Sequence, residues 1–251
     1  MAGWVRLLLG LALLPACWAF ARAAVDAFVV AAGKGVGIEA LSFLGGMLAF
    51  VVCWLAAPHP VRTYVLGHEL THALWGLFFG ARPSDLKVGA AGGSVRLSKT
   101  NVFITLAPYF FPFYAVVVLL VAVGVSLFVK PLPCLPLWLA LVGFTWSFHL
   151  LFTLETLMQR QPDVHLYGRL FSWTFIFLAN TMIVLVWLAA TTNLTFAELG
   201  GFLVERILAA YVGVWNFIVA SSVWLRARMT STSFFTLHSS FFTLHSSFFI
   251  S

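Results

Sequence analysis

The sequence predicts an all-α, polytopic membrane protein, and the observations that predict it are composition, the length of the apolar runs and the placement of charge. Of the 251 residues, 62% are hydrophobic and 9% are charged, and the mean hydropathy is +1.01. A soluble protein of this composition would lack the polar residues to cover its surface. We therefore expect a lipid bilayer to surround most of the chain, and no nucleic-acid partner.

Apolar runs of membrane-spanning length recur along the chain. A bilayer core of roughly 30 Å requires about 20 apolar residues in a helix. The predicted spans are residues 4–30, 38–57, 64–81, 102–129, 137–157, 170–190 and 203–225. Residues 7–20 also resemble a signal peptide, but we interpret the first run as a retained span. The expected fold is a bundle of about six or seven transmembrane helices, with a short polar loop at 82–101 that has the pattern of a β-hairpin.

The basic residues lie in the breaks between apolar runs, which is how membrane topology is encoded. If every run crosses the membrane, one face carries Lys34, the loop 82–101, Arg160, Arg169, Arg226 and Arg228. The opposite face then carries Arg62, Lys130, Glu198 and Glu205. The more basic first face is predicted to be cytosolic.

The chain divides into one membrane domain, residues 1–230, and a low-complexity tail, residues 231–251. In this tail the seven residues 234–240 recur unchanged at 241–247. So exact a repeat indicates a recent duplication, and we exclude its histidines from the candidate ligands.

The chemically informative residues are concentrated in His68-Glu69-Leu70-Thr71-His72. In a helix, residues four apart share a face, so His68 and His72 can both direct an imidazole nitrogen at one metal ion. Glu69 stands beside them as a base for water, and this is the HExxH spacing of zinc hydrolases. Ionisable groups inside an apolar span are costly unless paired or ligated, and Zn²⁺ would satisfy them. A hydrogen-bonded polar cluster and an ion path in a transporter are the alternatives.

Two histidines leave the coordination incomplete, because catalytic zinc usually takes three protein ligands. Asp163 is the preferred third ligand, since the adjacent Pro162 interrupts regular structure between two spans and lets a carboxylate turn inward. Glu155, near the end of the preceding span, is the alternative. His165 and Asn180 are candidates for hydrogen-bond donors next to the metal or to the reacting oxygen.

The motifs Gly67-His68-Glu69-Leu70-Thr71-His72-Ala73-Leu74 and Leu106-Ala107-Pro108, the glycine-rich stretch at 88–95 and the downstream Asp163 occur in a distinctive order. With them the chain resembles the site-2 protease family of intramembrane zinc metalloproteases, particularly its compact bacterial-type members. The resemblance implies that His68, His72 and Asp163 hold zinc and that Glu69 is the base. The chain departs from the family in placing Val164 and His165, not glycine, directly after the aspartate. Zinc proteases of the CAAX-processing type take a glutamate as third ligand, which would favour Glu155.

This resemblance also sets the expectations for substrate and partners. The substrate would be a transmembrane or membrane-adjacent segment of another membrane protein. A strand at Ser94, Val95, Arg96 and Leu97 could pair with that segment after it unwinds. A separate regulatory membrane protein is expected, because no soluble domain lies between the spans. A metal or proton transporter and an inactive protease-like scaffold are the rival functions.

Overall fold

A computed structural model describes residues 3–89 and 92–246, with side chains described as far as residue 228. Helices contain 79% of the described residues. Its helices are α1 (Gly3–Gly33), α2 (Ile38–Ala56), α3 (Val61–Phe78), α4 (Val102–Leu106), α5 (Phe113–Phe128), α6 (Leu135–Met158), α7 (Pro162–Leu166), α8 (Arg169–Thr191) and α9 (Phe196–Ser246). A 3₁₀ turn at Ala107–Tyr109 follows α4. The repeats of the predicted tail lie outside the residues whose side chains are described.

Five helices of the described chain are long and apolar enough to cross a membrane: α1, α2, α6, α8 and the part Phe196–Arg228 of α9. A sixth crossing is obtained if the pair Val102–Tyr109 and Phe113–Phe128, bent by 85°, counts as one span. Pro112 lies at the bend, where it cannot donate the backbone hydrogen bond of a continuous helix. The predicted all-α polytopic bundle is confirmed.

The polar loop forms a small antiparallel hairpin of β1 (Pro83–Gly89) and β2 (Gly92–Leu97). The hairpin packs along α3. A Cβ atom on Gly93 would lie 2.6 Å from Val65 Cγ1, and one on Gly76 would lie 3.0 Å from Leu97 Cδ2. Glycine at these two positions therefore allows the strand and the helix to approach closely.

Helix α2 packs against α6 through two glycines. A Cβ atom on Gly46 would lie 1.9 Å from the Ala140 carbonyl oxygen, and one on Gly143 would lie 2.0 Å from the Phe43 carbonyl oxygen. Small residues of this kind let membrane helices approach until their backbones touch. In lipid, the van der Waals contacts of this close approach replace the hydrophobic effect as the source of packing energy.

Contacts of α1 define two ends of the bundle. The Arg6 guanidinium donates to the Leu166 carbonyl at the C-terminus of α7. At its other end, Lys34 Nζ lies 2.6 Å from Glu198 Oε1 and 3.1 Å from the Asn193 carbonyl oxygen. We call these the α7 end and the Lys34 end. The prediction that Lys34 and Glu198 lie on opposite faces is therefore wrong.

Helix α3 does not run from one end to the other. Near its start, the Tyr64 ring stacks on Phe152 with centroids 4.7 Å apart, within about two turns of the end of α6. Just after it, Phe79 stacks on Phe103, which contacts Phe175 within about two turns of the start of α8. Both of those helix ends border α7, and α3 is not among the helices apolar enough to span. The expected crossing at 64–81 is not found, because its ionisable residues lower the hydropathy of the segment.

Candidate metal centre

Helix α3 presents His68 and His72 on one face, as their spacing requires. Their ring centroids are 4.9 Å apart, and each side chain is only 12% exposed. Both line a cleft of about 530 Å³. The other walls of this cleft are the start of β2, the end of α6 and the segment 161–163. Both histidines therefore border one cavity that is shared by α3, β2, α6 and the start of α7.

Asp163 comes to the same place from α7. Pro162 occupies the first turn of this short helix and sets its entry, and Asp163 follows it. Asp163 Oδ2 lies 3.7 Å from His68 Nε2 and 3.4 Å from His72 Nε2. Ligand atoms bound at about 2.1 Å to one tetrahedral ion lie about 3.4 Å apart. His68, His72 and Asp163, whose ligand atoms all fall within 4.8 Å of one another, could therefore hold a metal ion.

The two histidines have partners that leave a nitrogen for the metal. His72 Nδ1 lies 2.9 Å from the Ile104 carbonyl oxygen. Because a carbonyl only accepts, Nδ1 carries a proton, and Nε2 is the nitrogen that remains available to a metal ion. His68 Nδ1 lies 3.4 Å from the Tyr64 hydroxyl. Such partners orient the rings of metal-binding histidines.

Asp163 is ionised in this setting. Burial opposes its charge, but the neighbouring His68 and His72 rings outweigh burial and hold the pKa of the Asp163 carboxyl well below its usual range. The Tyr109 hydroxyl also donates to Asp163 Oδ2 at 3.2 Å. A carboxylate must be deprotonated to bind a metal, so this environment suits a ligand.

Glu69 lies beside the group of three without belonging to it. It lines the cleft and is 8% exposed. Strand β2 covers it, since a Cβ atom on Gly93 would lie 2.8 Å from Glu69 Cγ. Its side chain is thus confined between α3 and β2, next to the candidate ligands.

Glu155 also lines the cleft, but it belongs to a different contact. Its Oε2 lies 3.9 Å from His59 Nδ1, and its side chain is 44% exposed. Within the described residues, the group able to hold a metal contains Asp163 and not Glu155. The geometry therefore favours the aspartate of the two candidates.

His165 and Asn180 do not line the cleft. His165 is exposed on α7. Asn180 donates from Nδ2 to the Tyr109 carbonyl at 2.8 Å and to the Ile176 carbonyl at 2.9 Å, so it contacts the site only through Tyr109. Sequence reasoning overlooked Tyr109, whose one signal is its place directly after Leu106-Ala107-Pro108.

Known proteins were compared with the chain by sequence and by fold. No protein-family model, curated protein or solved structure matches it. The functional assignment accordingly rests on the chemistry and geometry of the group formed by His68, His72, Asp163 and the neighbouring Glu69.

Proposed function

We propose that this protein is an intramembrane zinc endopeptidase that cleaves transmembrane or membrane-adjacent segments of other membrane proteins. The observation that carries the proposal is the convergence of His68, His72 and Asp163 beside a buried Glu69 in one cleft. Two imidazoles and one carboxylate are a ligand set of catalytic zinc proteases, in which a fourth position stays open.

Zinc fits the donors better than magnesium or calcium does. Magnesium and calcium prefer sites built from oxygen atoms alone, whereas imidazole nitrogen with one carboxylate suits zinc. When bound, zinc would supply Lewis acidity that acidifies water and polarises the scissile carbonyl group. His68, His72 and Asp163 would hold it, and their partners Ile104, Tyr64 and Tyr109 fix their orientation.

Glu69 performs the proton transfers in this proposal. Its carboxylate takes a proton from the attacking water and later delivers that proton to the leaving amine, so no net proton is consumed by the residue. Helix α3 sets its place, because Glu69 directly follows His68 and faces the same cleft.

Strand β2 supplies a binding edge for the substrate. A helical substrate hides its amide bonds, so it must unwind before water can attack, and its freed backbone groups then need partners. Gly92, Gly93 and Ser94 line the cleft, and β2 has a partner strand on one side only in the described chain. The segment Ser94, Val95, Arg96 and Leu97 would pair with the unwound substrate.

The substitution Glu69→Gln tests the assignment. The amide keeps the shape of the side chain but cannot accept a proton, so we expect zinc to remain bound and cleavage to stop. Membranes from cells producing either form would be searched by mass spectrometry for new N-termini within transmembrane segments. The matched control is Glu205→Gln, since Glu205 is a carboxylate on α9 whose side chain is 68% exposed. New N-termini that persist in Glu69→Gln would refute a proteolytic role for Glu69, and purified wild-type protein without zinc would refute the metal assignment.

A further inference from the structure

We infer that Tyr109 is a positioning residue for the metal ligand Asp163, an inference that rests on the proposed function. Its hydroxyl holds the carboxylate in the ligand geometry, while Asn180 of α8 holds the Tyr109 backbone. The site would then depend on four separate elements of the fold: α3, the 3₁₀ turn, α7 and α8.

Tyr109 contacts two members of the ligand group at once. It is fully buried. Its hydroxyl donates to Asp163 Oδ2 at 3.2 Å, and its ring stands edge-on to His68 with centroids 5.3 Å apart and planes at 87°. A buried hydroxyl without a partner is destabilising, so Tyr109 and Asp163 constrain one another.

The backbone of Tyr109 is itself fixed from several sides. Asn180 Nδ2 donates to its carbonyl oxygen. The preceding helix α4 begins at Asn101, whose side chain accepts from the Ile104 amide at 2.9 Å. Tyr109 also belongs to a buried cluster with Val164, the neighbour of Asp163, and Ile176 of α8. The Tyr109 hydroxyl is therefore restricted to one position.

Asp163 needs such support because its own element is small. Helix α7 has five residues and lies in the connection between α6 and α8, so local backbone structure restrains the carboxylate weakly. A hydrogen bond to one oxygen leaves a second lone pair on that oxygen and orients the group before the metal arrives. Loss of a hydrogen bond of this kind typically weakens metal binding by about 10–100-fold.

The test is Tyr109→Phe in the purified full-length protein, with Zn²⁺ and Co²⁺ as probes. We expect the zinc dissociation constant, measured by competition with a chromophoric chelator, to rise by about 10–100-fold. The visible absorption of the Co²⁺ form should shift, because the carboxylate changes its orientation toward the ion. The unfolding temperature of the metal-free protein should stay near the wild-type value, whereas that of the zinc-loaded protein should fall.

Tyr211→Phe is the matched control. The Tyr211 hydroxyl donates to the Ala12 carbonyl oxygen at 2.8 Å between α9 and α1, so its loss removes a tyrosine hydrogen bond that involves none of the candidate ligands. We expect wild-type zinc affinity in this variant. Equal zinc affinity in Tyr109→Phe and wild type would overturn the positioning role, and so would an equal loss in both tyrosine variants. A wild-type protein that binds neither probe would instead overturn the proposed function.

Discussion

Asp163 and Glu155 line the same cleft, but their carboxylates contact different side chains. Asp163 lies close to both histidine nitrogens and accepts from Tyr109. Glu155 faces His59, which in turn stacks on Trp54 with ring centroids 3.6 Å apart. Within the described residues, it is thus Asp163 and not Glu155 that forms, with the two histidines, a group able to hold a metal ion.

Substituting each carboxylate by alanine in turn tests which of the two binds the metal. Asp163→Ala should leave two imidazoles and lose zinc or hold it at least about tenfold more weakly. Glu155→Ala should keep one zinc per chain, because its carboxylate is outside the ligand group. Metal analysis after gel filtration, together with cleavage rates, distinguishes the two variants. Full zinc in Asp163→Ala and loss of zinc in Glu155→Ala would assign the site to the glutamate-type proteases.

The sequence was sufficient for residues whose relation is local. His68, Glu69 and His72 share one helix, so the helical period alone places them together. Asp163 could be suggested from the break at Pro162, although not distinguished from Glu155 by spacing. Tyr109 lies 54 residues before Asp163 in sequence, and no periodicity relates two residues on different short elements, so only the folded structure reveals their contact.

At the level of elements, the β-hairpin covers the part of α3 that carries Glu69. The close approach of Gly93 to Val65 and Glu69 leaves no space for a side chain. The strand is thereby held next to the proposed base, so Gly93 and Glu69 border the same part of the cleft.

Gly93→Ala should therefore reduce cleavage without removing the metal. The added methyl group displaces β2 or Glu69, and overpacking of this type costs about 1–3 kcal/mol. If that cost falls on the transition state, the rate falls by about 5- to 150-fold. Zinc content should match the wild type. Gly124→Ala in α5 is the control, because a Cβ atom there meets nothing within 4 Å. If Gly93→Ala cleaves as fast as the wild type and Gly124→Ala, β2 and Glu69 are not closely fitted to one another.

Elements with uniform apolar composition were the easiest to predict. The runs 38–57 and 170–190 became Ile38–Ala56 and Arg169–Thr191. The run 102–129 instead contains an 85° bend. Hydropathy did not predict this bend, because it counts apolar residues and does not register how Pro112 breaks the helix. The departure at α3 has a different origin, since the ionisable residues of the motif keep the hydropathy of this segment below that of the spanning helices.

At the scale of the whole molecule, the course of α3 changes which basic residues share a face. With α3 confined to the α7 end, that end gathers Arg62, Arg160, Arg169 and the basic hairpin residues 82–99. Helix α6 runs parallel to α2, since later residues of one contact later residues of the other. Phe50 contacts Phe144 and Phe148, and His59, just after α2, contacts Glu155 near the end of α6. The loop 129–134 therefore lies at the Lys34 end. Since Lys and Arg accumulate on the cytosolic side, the α7 end and its cleft should face the cytosol.

Cysteine labelling in sealed cells checks this topology and the course of α3 together. In a background with Cys17→Ala and Cys53→Ala, the native Cys134 is exposed at the Lys34 end and should react with an impermeant maleimide from outside. Ser94→Cys and Ala57→Cys, each tested with Cys134→Ala, should react only after the membrane is opened, because both positions lie at the α7 end. External labelling of position 57 but not 94 would show that α3 crosses the bilayer. External labelling of both, with Cys134 protected, would place the cleft on the outer face and invert the charge argument.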